Sequence, residues 1–256
     1  MSIPELLWHS PPEQLALADD EVHVWLAPLD LPDSHLYILA QALADDERRR
    51  AQAFRFQKDR IHFIAARGIL RAILGRYLTQ GPGMLRFCYN AYGKPALMGE
   101  AGDSVSFNVA HSHGMAMYAI TRKRDIGIDL EYISRDIECE QIALHFFSPY
   151  EVSMLRLVPP ERQYEAFFNC WTRKEAYIKA RGMGLSLPLS SFDVSLTPGM
   201  PTALLNIREE DQNISHWSLV DMSFNADYAA ALAVKGPPFR LQCWRWVSMT
   251  KGGVWR

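Results

Sequence analysis

Two groups of ionisable residues in this chain have types and spacing that could do chemistry together. The segment 126–131 reads IGIDLE. As a strand it puts Ile126, Ile128 and Leu130 on one face and Gly127, Asp129 and Glu131 on the other, because side chains alternate with period two. Two carboxylates then stand on one side, roughly 7 Å apart at their α-carbons, near enough to converge on one cation. The segment 167–185 reads FFNCWTRKEAYIKARGMGL. On a helical period Phe167, Cys170, Trp171 and Ile178 share an inward stripe, with Lys174 and Glu175 in its middle. Charges at core-facing positions are costly unless a counter-charge, a metal or a polar ligand meets them. A hard divalent ion such as Mg2+ takes oxygen ligands and is held by a few carboxylates together with substrate phosphates. If Glu175 faces Asp129 and Glu131, three carboxylates surround such an ion, and Lys174 and Lys179 meet the phosphates. Each group also has an ordinary reading: a solvated strand face for the carboxylates, and an i,i+4 Glu175–Lys179 pair worth a few tenths of a kcal/mol for the helix. It is the two together that point to a site.

Other chemistries find less support. The segment 107–114, FNVAHSHG, feeds a tight turn carrying His111 and His113, but no further His or Cys follows at zinc-ligand spacing. Ser112 lacks the GxSxG elbow of a serine hydrolase, and neither a Walker A loop nor GxGxxG is present. Residues 46–76 hold nine Arg or Lys against three acidic residues, in a chain whose net charge is −2. This excess is either a solvated face or a docking surface for a polyanion such as a nucleotide phosphate.

The elements that must position these residues follow from pattern. Strands are expected at 21–27, 86–89, 105–109, 115–121, 126–132, 192–196, 203–207, 216–221 and 228–234. Helices are expected at 35–43, 59–78, 139–145, from Ser148-Pro149 onward, and 161–180, the last stopped by Gly182 and Gly184. The turn 91–95 presents Lys94. Helices followed by strands, twice over, imply an α+β chain of two similar halves. The expected division is 1–114, 115–234 and a tail 235–256 with Trp244, Trp246 and Trp255. At 256 residues and 48% hydrophobic content a substantial core can form. The four cysteines show no CxxC spacing, so neither a zinc site nor a disulfide framework is expected. No run approaches the roughly 20 apolar residues of a membrane span, and no signal-peptide pattern opens the chain. A cytoplasmic protein without membrane or nucleic-acid partners is the expectation.

In order and spacing, YGKPAL (92–97), FNVAHSHG, GIDLE (127–131), FFSPYE (146–151) and FFNCWTRKEAYIKARGMGLSLPL (167–189) resemble the motifs of the 4'-phosphopantetheinyl transferases, and more narrowly the monomeric type that activates surfactin synthetase. The resemblance covers about 46–196. It implies a pseudo-dimer of two α+β halves, each an antiparallel sheet packed with helices, with the ligand cleft between them. It also implies transfer of the phosphopantetheine arm of coenzyme A to a serine of an apo acyl or peptidyl carrier protein, with release of adenosine 3',5'-bisphosphate. Mg2+ would lie on Asp129, Glu131 and Glu175, with Lys174 and Lys179 on the pyrophosphate. Lys94 and His111 would face the adenosine and phosphate end, and Arg50 and Arg67, in the basic run with Arg48, would reach the 3'-phosphate. Glu175, Glu151 or a metal-bound water would take the serine proton, and Trp171 would pack beneath the site. One departure is Ala110, where the family often has serine and hence a hydroxyl for the cofactor. A metal-dependent nucleotide pyrophosphate hydrolase using the same carboxylates, and a non-catalytic module binding coenzyme A or carrier proteins, are the competing readings.

Overall fold

The computed structural model describes residues 6–209 and 213–247. Strands β1 (Glu21–Pro28), β2 (Phe87–Tyr89), β3 (Pro95–Leu97), β4 (Ser106–Ser112), β5 (Met115–Thr121), β6 (Ile126–Tyr132), β7 (Phe192–Val194), β8 (Leu204–Ile207), β9 (Trp217–Asp221), β10 (Tyr228–Lys235) and β11 (Arg240–Arg245) are joined by seven helices. These are α1 (Asp33–Gln41), α2 (Asp45–Gln52), α3 (Gln57–Leu78), α4 (Glu100–Ser104), α5 (Cys139–Phe146), α6 (Pro149–Leu157) and α7 (Gln163–Arg181). One sheet has the order β11-β1-β5-β4 and a second β6-β10-β9, with two small ribbons, β2-β3 and β7-β8.

Alternation along the strands builds three cores in series. Trp25 and Ala27 of β1, with Tyr118 and Ile120 of β5, pack under Ile69, Leu70 and Ile73 of α3. The opposite faces, Val22, Val24 and Leu26 with Met117 and Ala119, meet Ile126, Ile128 and Leu130 of β6 and Leu232 of β10. Beyond them Ala229, Ala231 and Ala233 of β10 pack under Phe167, Cys170 and Ile178 of α7. The layers therefore run helix, sheet, sheet, helix, which is the expected pair of α+β halves. Small residues let α7 lie close on its sheet. A Cβ at Gly127 would overlap the backbone of Ala176 and Ala180, so glycine there sets the distance between strand and helix.

The division of the chain differs from the expected 1–114 and 115–234. β5 pairs with β1 and β4, so the first sheet extends to Thr121 and the halves part at the turn before Ile126. The tail is not separate either. β11 adds to β1 in parallel, and Trp246 is buried in the α3 core; Trp255 lies outside the described residues. Among the described strands, the parallel β1–β11 pair departs from the expected antiparallel sheets. Helix α2 was not expected, because its sequence is charged at almost every position. It is held by Glu47, whose side chain caps the helix at Ala44 N and pairs with Arg67 and Arg71.

The two sheets adjoin where β4 runs beside β6. Side chains of β4 make the seam: Asn108 Oδ1 accepts the Ile128 N–H at 2.8 Å and Ser112 Oγ accepts the Tyr132 N–H at 3.1 Å. Both strands advance four residues between these bonds, so the stitching faces recur on the period-two pattern.

Candidate active site

The face of β6 carrying Gly127, Asp129 and Glu131 turns toward α7, as alternation predicts. Asp129 is buried, and Lys179 donates to its Oδ1 at 2.6 Å. Its second oxygen, Oδ2, is buried with no hydrogen-bond partner. Glu131 accepts the Ser112 hydroxyl at 2.9 Å. Burial and then the neighbouring Asp129 charge push the Glu131 carboxyl up to about 7, while Ser112 and Lys179 oppose them. Glu175 is raised as well, first by burial and then by Asp129. One lysine thus faces three carboxylates, and the excess of negative charge is held in a partly desolvated place. Among the described residues, no three His, Cys, Asp or Glu side chains come close enough together to hold a metal ion between them.

Beside this cluster opens a cleft of about 290 Å³ lined by Glu175, Lys179, Lys94, Asn108, Tyr92 and Gly182, among others. The loop carrying Lys94 is shaped by Asn90, whose Oδ1 accepts the N–H groups of Tyr92 and Lys94 and whose amide donates to Gly182 O. The loop is thereby pinned to the C-terminus of α7, where Gly182 takes φ +66°. Lys94 Nζ donates to Ile126 O at 3.0 Å and Ala180 O at 3.3 Å, and burial lowers its pKa. His111 keeps an exposed edge; desolvation, then the charges of Lys179 and His62, hold its pKa below the usual histidine range.

Four expected site residues have other company. Lys174, placed on the pyrophosphate by the resemblance, is wholly buried. Its Nζ pairs with Glu151 at 2.8 Å and donates to Leu189 O and Phe192 O. Glu151, a candidate base, is equally buried and also accepts the N–H groups of Ser148 and Val194. Both charges are consumed inside the second half, because the Lys174 side chain of α7 turns toward α6 and β7 rather than into the cleft. Arg67 pairs with Glu47, donates to Tyr89 Oη at 3.0 Å and lies over the Phe87 ring. Arg50 is exposed, its guanidinium 5.4 Å from the Phe63 ring centre. Neither arginine lines the cleft. Trp171 packs among Phe146, Phe147 and Phe167, as a packing role requires. Ala110 is buried in the core between the sheets, so the position lacking the family's serine hydroxyl points into apolar surroundings.

Sequence reasoning missed Asn90 and Asn108, and weighed Ser112 only as a hydrolase nucleophile. The signal for the last two lay in FNVAHS, where polar residues four apart share one strand face with Ala110.

The sequence profile of the 4'-phosphopantetheinyl transferase superfamily matches residues 125–233, and that of a 4'-phosphopantetheinyl transferase N-terminal region matches 31–122. The gap between the matches falls at the turn between β5 and β6. The chain is 41% identical to the 4'-phosphopantetheinyl transferase HetI of Nostoc sp. strain PCC 7120, over 93% of this chain and 98% of that protein. It is 32% identical to the 4'-phosphopantetheinyl transferase psf-1 of Bacillus pumilus, over 77% of this chain and 83% of that one. To the 4'-phosphopantetheinyl transferase Sfp of Bacillus subtilis strain 168 it is 32% identical, over 60% and 66%. With a cleft between two α+β halves, and relatives of one activity along nearly its whole length, the chain belongs to the 4'-phosphopantetheinyl transferase superfamily.

Proposed function

We propose that the enzyme transfers the 4'-phosphopantetheine group of coenzyme A to a serine of an apo carrier protein, and that Asp129, Glu131, Glu175 and Lys179 carry the chemistry. The observation that carries the assignment of residues is the β6–α7 face itself, where Lys179 pairs with Asp129 and, together with Glu175, lines an open cleft. The serine oxygen bonds to the β-phosphorus, the bond from that phosphorus to the bridging oxygen breaks, and adenosine 3',5'-bisphosphate leaves. In this reading Lys179 would donate to the pyrophosphate, and Lys94 and His111 would flank the nucleotide end. The serine proton passes to Glu175, the acidic side chain lining the cleft. Glu151 is too deeply buried for that task.

The chemistry of these side chains, though not a preassembled cluster, suits a divalent cation. Oxygen ligands suit Mg2+, and both the unpartnered Asp129 Oδ2 and the raised carboxyls are features that a bound positive charge would relieve. Asp129, Glu131 and Glu175 would hold the ion. When bound, Mg2+ neutralises charge that builds on the pyrophosphate oxygens.

Four unbridged cysteines agree with a reducing, cytoplasmic setting, and no described helix is long and apolar enough to cross a membrane. We read the enzyme as acting as a single chain, since both halves of the cleft come from one polypeptide. Asp129→Ala and Glu175→Ala are expected to lower transfer at least 100-fold, an order set by loss of charge stabilisation at the reacting group, while circular dichroism stays native. Wild-type turnover in both variants would remove the assignment.

A further inference from the structure

We propose that Ser112 is a positioning residue that aims the Glu131 carboxylate into the cation-binding group. The inference rests on the cation reading above for the ion and on the seam geometry for the rest. A serine hydroxyl has one proton and two lone pairs. The Tyr132 N–H occupies a lone pair of Ser112 Oγ at 3.1 Å, and the hydroxyl proton goes to Glu131 Oε2 at 2.9 Å. Acceptor and donor partners are adjacent residues of β6, so the backbone of the strand itself orients the hydroxyl toward the carboxylate of its neighbour.

The arrangement answers a physical problem. Asp129 and Glu131 stand on one face of β6, and their like charges favour swinging the longer, more flexible glutamate away. A bond from a fixed hydroxyl holds one oxygen of Glu131 near the seam and leaves the other for a ligand. Asn108 performs only the stitching half of this work, because its Oδ1 accepts the Ile128 N–H and the residue before Ile128, where Glu131 stands before Tyr132, is Gly127. Ser112 therefore does two separable things: it closes the seam between the sheets and it orients a cation ligand. Partners one shell out from metal ligands commonly govern affinity by about 10- to 100-fold.

The test is direct titration of the purified full chain with Mn2+ as the probe ion, followed by electron paramagnetic resonance, without coenzyme A or carrier. Ser112→Ala is expected to weaken Mn2+ binding about tenfold or more, and Ser112→Thr, which keeps the hydroxyl, to stay within about threefold of wild type. A seam role alone would lower the melting temperature of Ser112→Ala and leave Mn2+ affinity where it was; that result overturns the proposal. Equal loss in the threonine and alanine variants also overturns it. If the wild-type chain binds no Mn2+ and transfers without a divalent ion, the cation reading itself fails, which is a distinguishable outcome.

Discussion

At the scale of single residues, the defining feature is a carboxyl whose proton affinity is set by its neighbours. Burial and the charge of Asp129 raise Glu131 from 4.5 to about 7, and Glu175 is shifted in the same direction. Between pH 4.5 and about 7 the folded chain retains a proton that the unfolded chain has released, so stability falls as pH rises through that window. In chelator-treated protein, the carboxyl contribution to the urea midpoint should decline from pH 5 toward pH 7, an interval inside the window set by those two values, while His23 and His111, with pKa values lowered by burial, contribute the opposite slope. Glu131→Gln, which does not titrate, should show a shallower decline, Glu175 supplying the remainder. An unchanged slope in Glu131→Gln would mean that the carboxyl titrates as an ordinary glutamate. The pair IGIDLE and KEAYIK was legible at this scale because the helix placed charge on a stripe that periodicity reserved for packing and the strand placed two like charges on one face. The partner of each charge was less legible. Lys174 and Glu175 are adjacent in sequence, yet one turns into the core of the second half and the other into the cleft, a difference of one helical step that only the packing of α6 and β7 decides.

At the scale of elements, α7 is fixed on both sides. Toward β6 it lies on Gly127. Toward α6 and β7 it is held by the Lys174–Glu151 pair, fully buried and tied to four backbone groups: Leu189 O, Phe192 O, Ser148 N and Val194 N. Such a pair is stable because every polar atom has a partner, and removing one charge leaves the other stranded. Lys174→Met or Glu151→Leu alone should destabilise by about 3–5 kcal/mol, whereas the double variant, which buries no charge, should recover much of that loss. Denaturant unfolding of the three variants gives the coupling directly; additive losses would show that the two side chains do not depend on each other. The capping box Ser148 to Glu151 was readable as a helix start from Ser148-Pro149. That the same glutamate also serves as counter-ion for a lysine on another helix is a tertiary fact, invisible to a local motif.

At the scale of the whole molecule, two sheets lie face to face between α3 and α7, and the site sits where β4 and β6 adjoin. Most of the strands and helices followed from period and punctuation, and so did the two-half plan. The boundary did not, because hairpin turns look alike whether they lie within a half or between halves: the turn after Ser112 joins strands of one sheet, and the turn after Thr121 joins the two sheets. β11 escaped notice because it completes the first sheet beside β1, more than two hundred residues away in sequence, with the register Glu21 to Arg240. Arg50 and Arg67 illustrate the same limit from the side of charge. A basic run is easy to see in sequence, but the acceptor of Arg67 is Glu47 of α2, a helix whose composition concealed it. The cleft geometry is therefore the strongest guide to what the enzyme does. Its central test is the intact mass of an apo carrier protein after incubation with the enzyme, coenzyme A and Mg2+, measured together with the nucleotide released. A mass gain of one phosphopantetheine per carrier, matched by one adenosine 3',5'-bisphosphate and dependent on the carrier serine, is the predicted result; nucleotide release at the same rate without a carrier, or unmodified acyl and peptidyl carriers alike, would contradict the account.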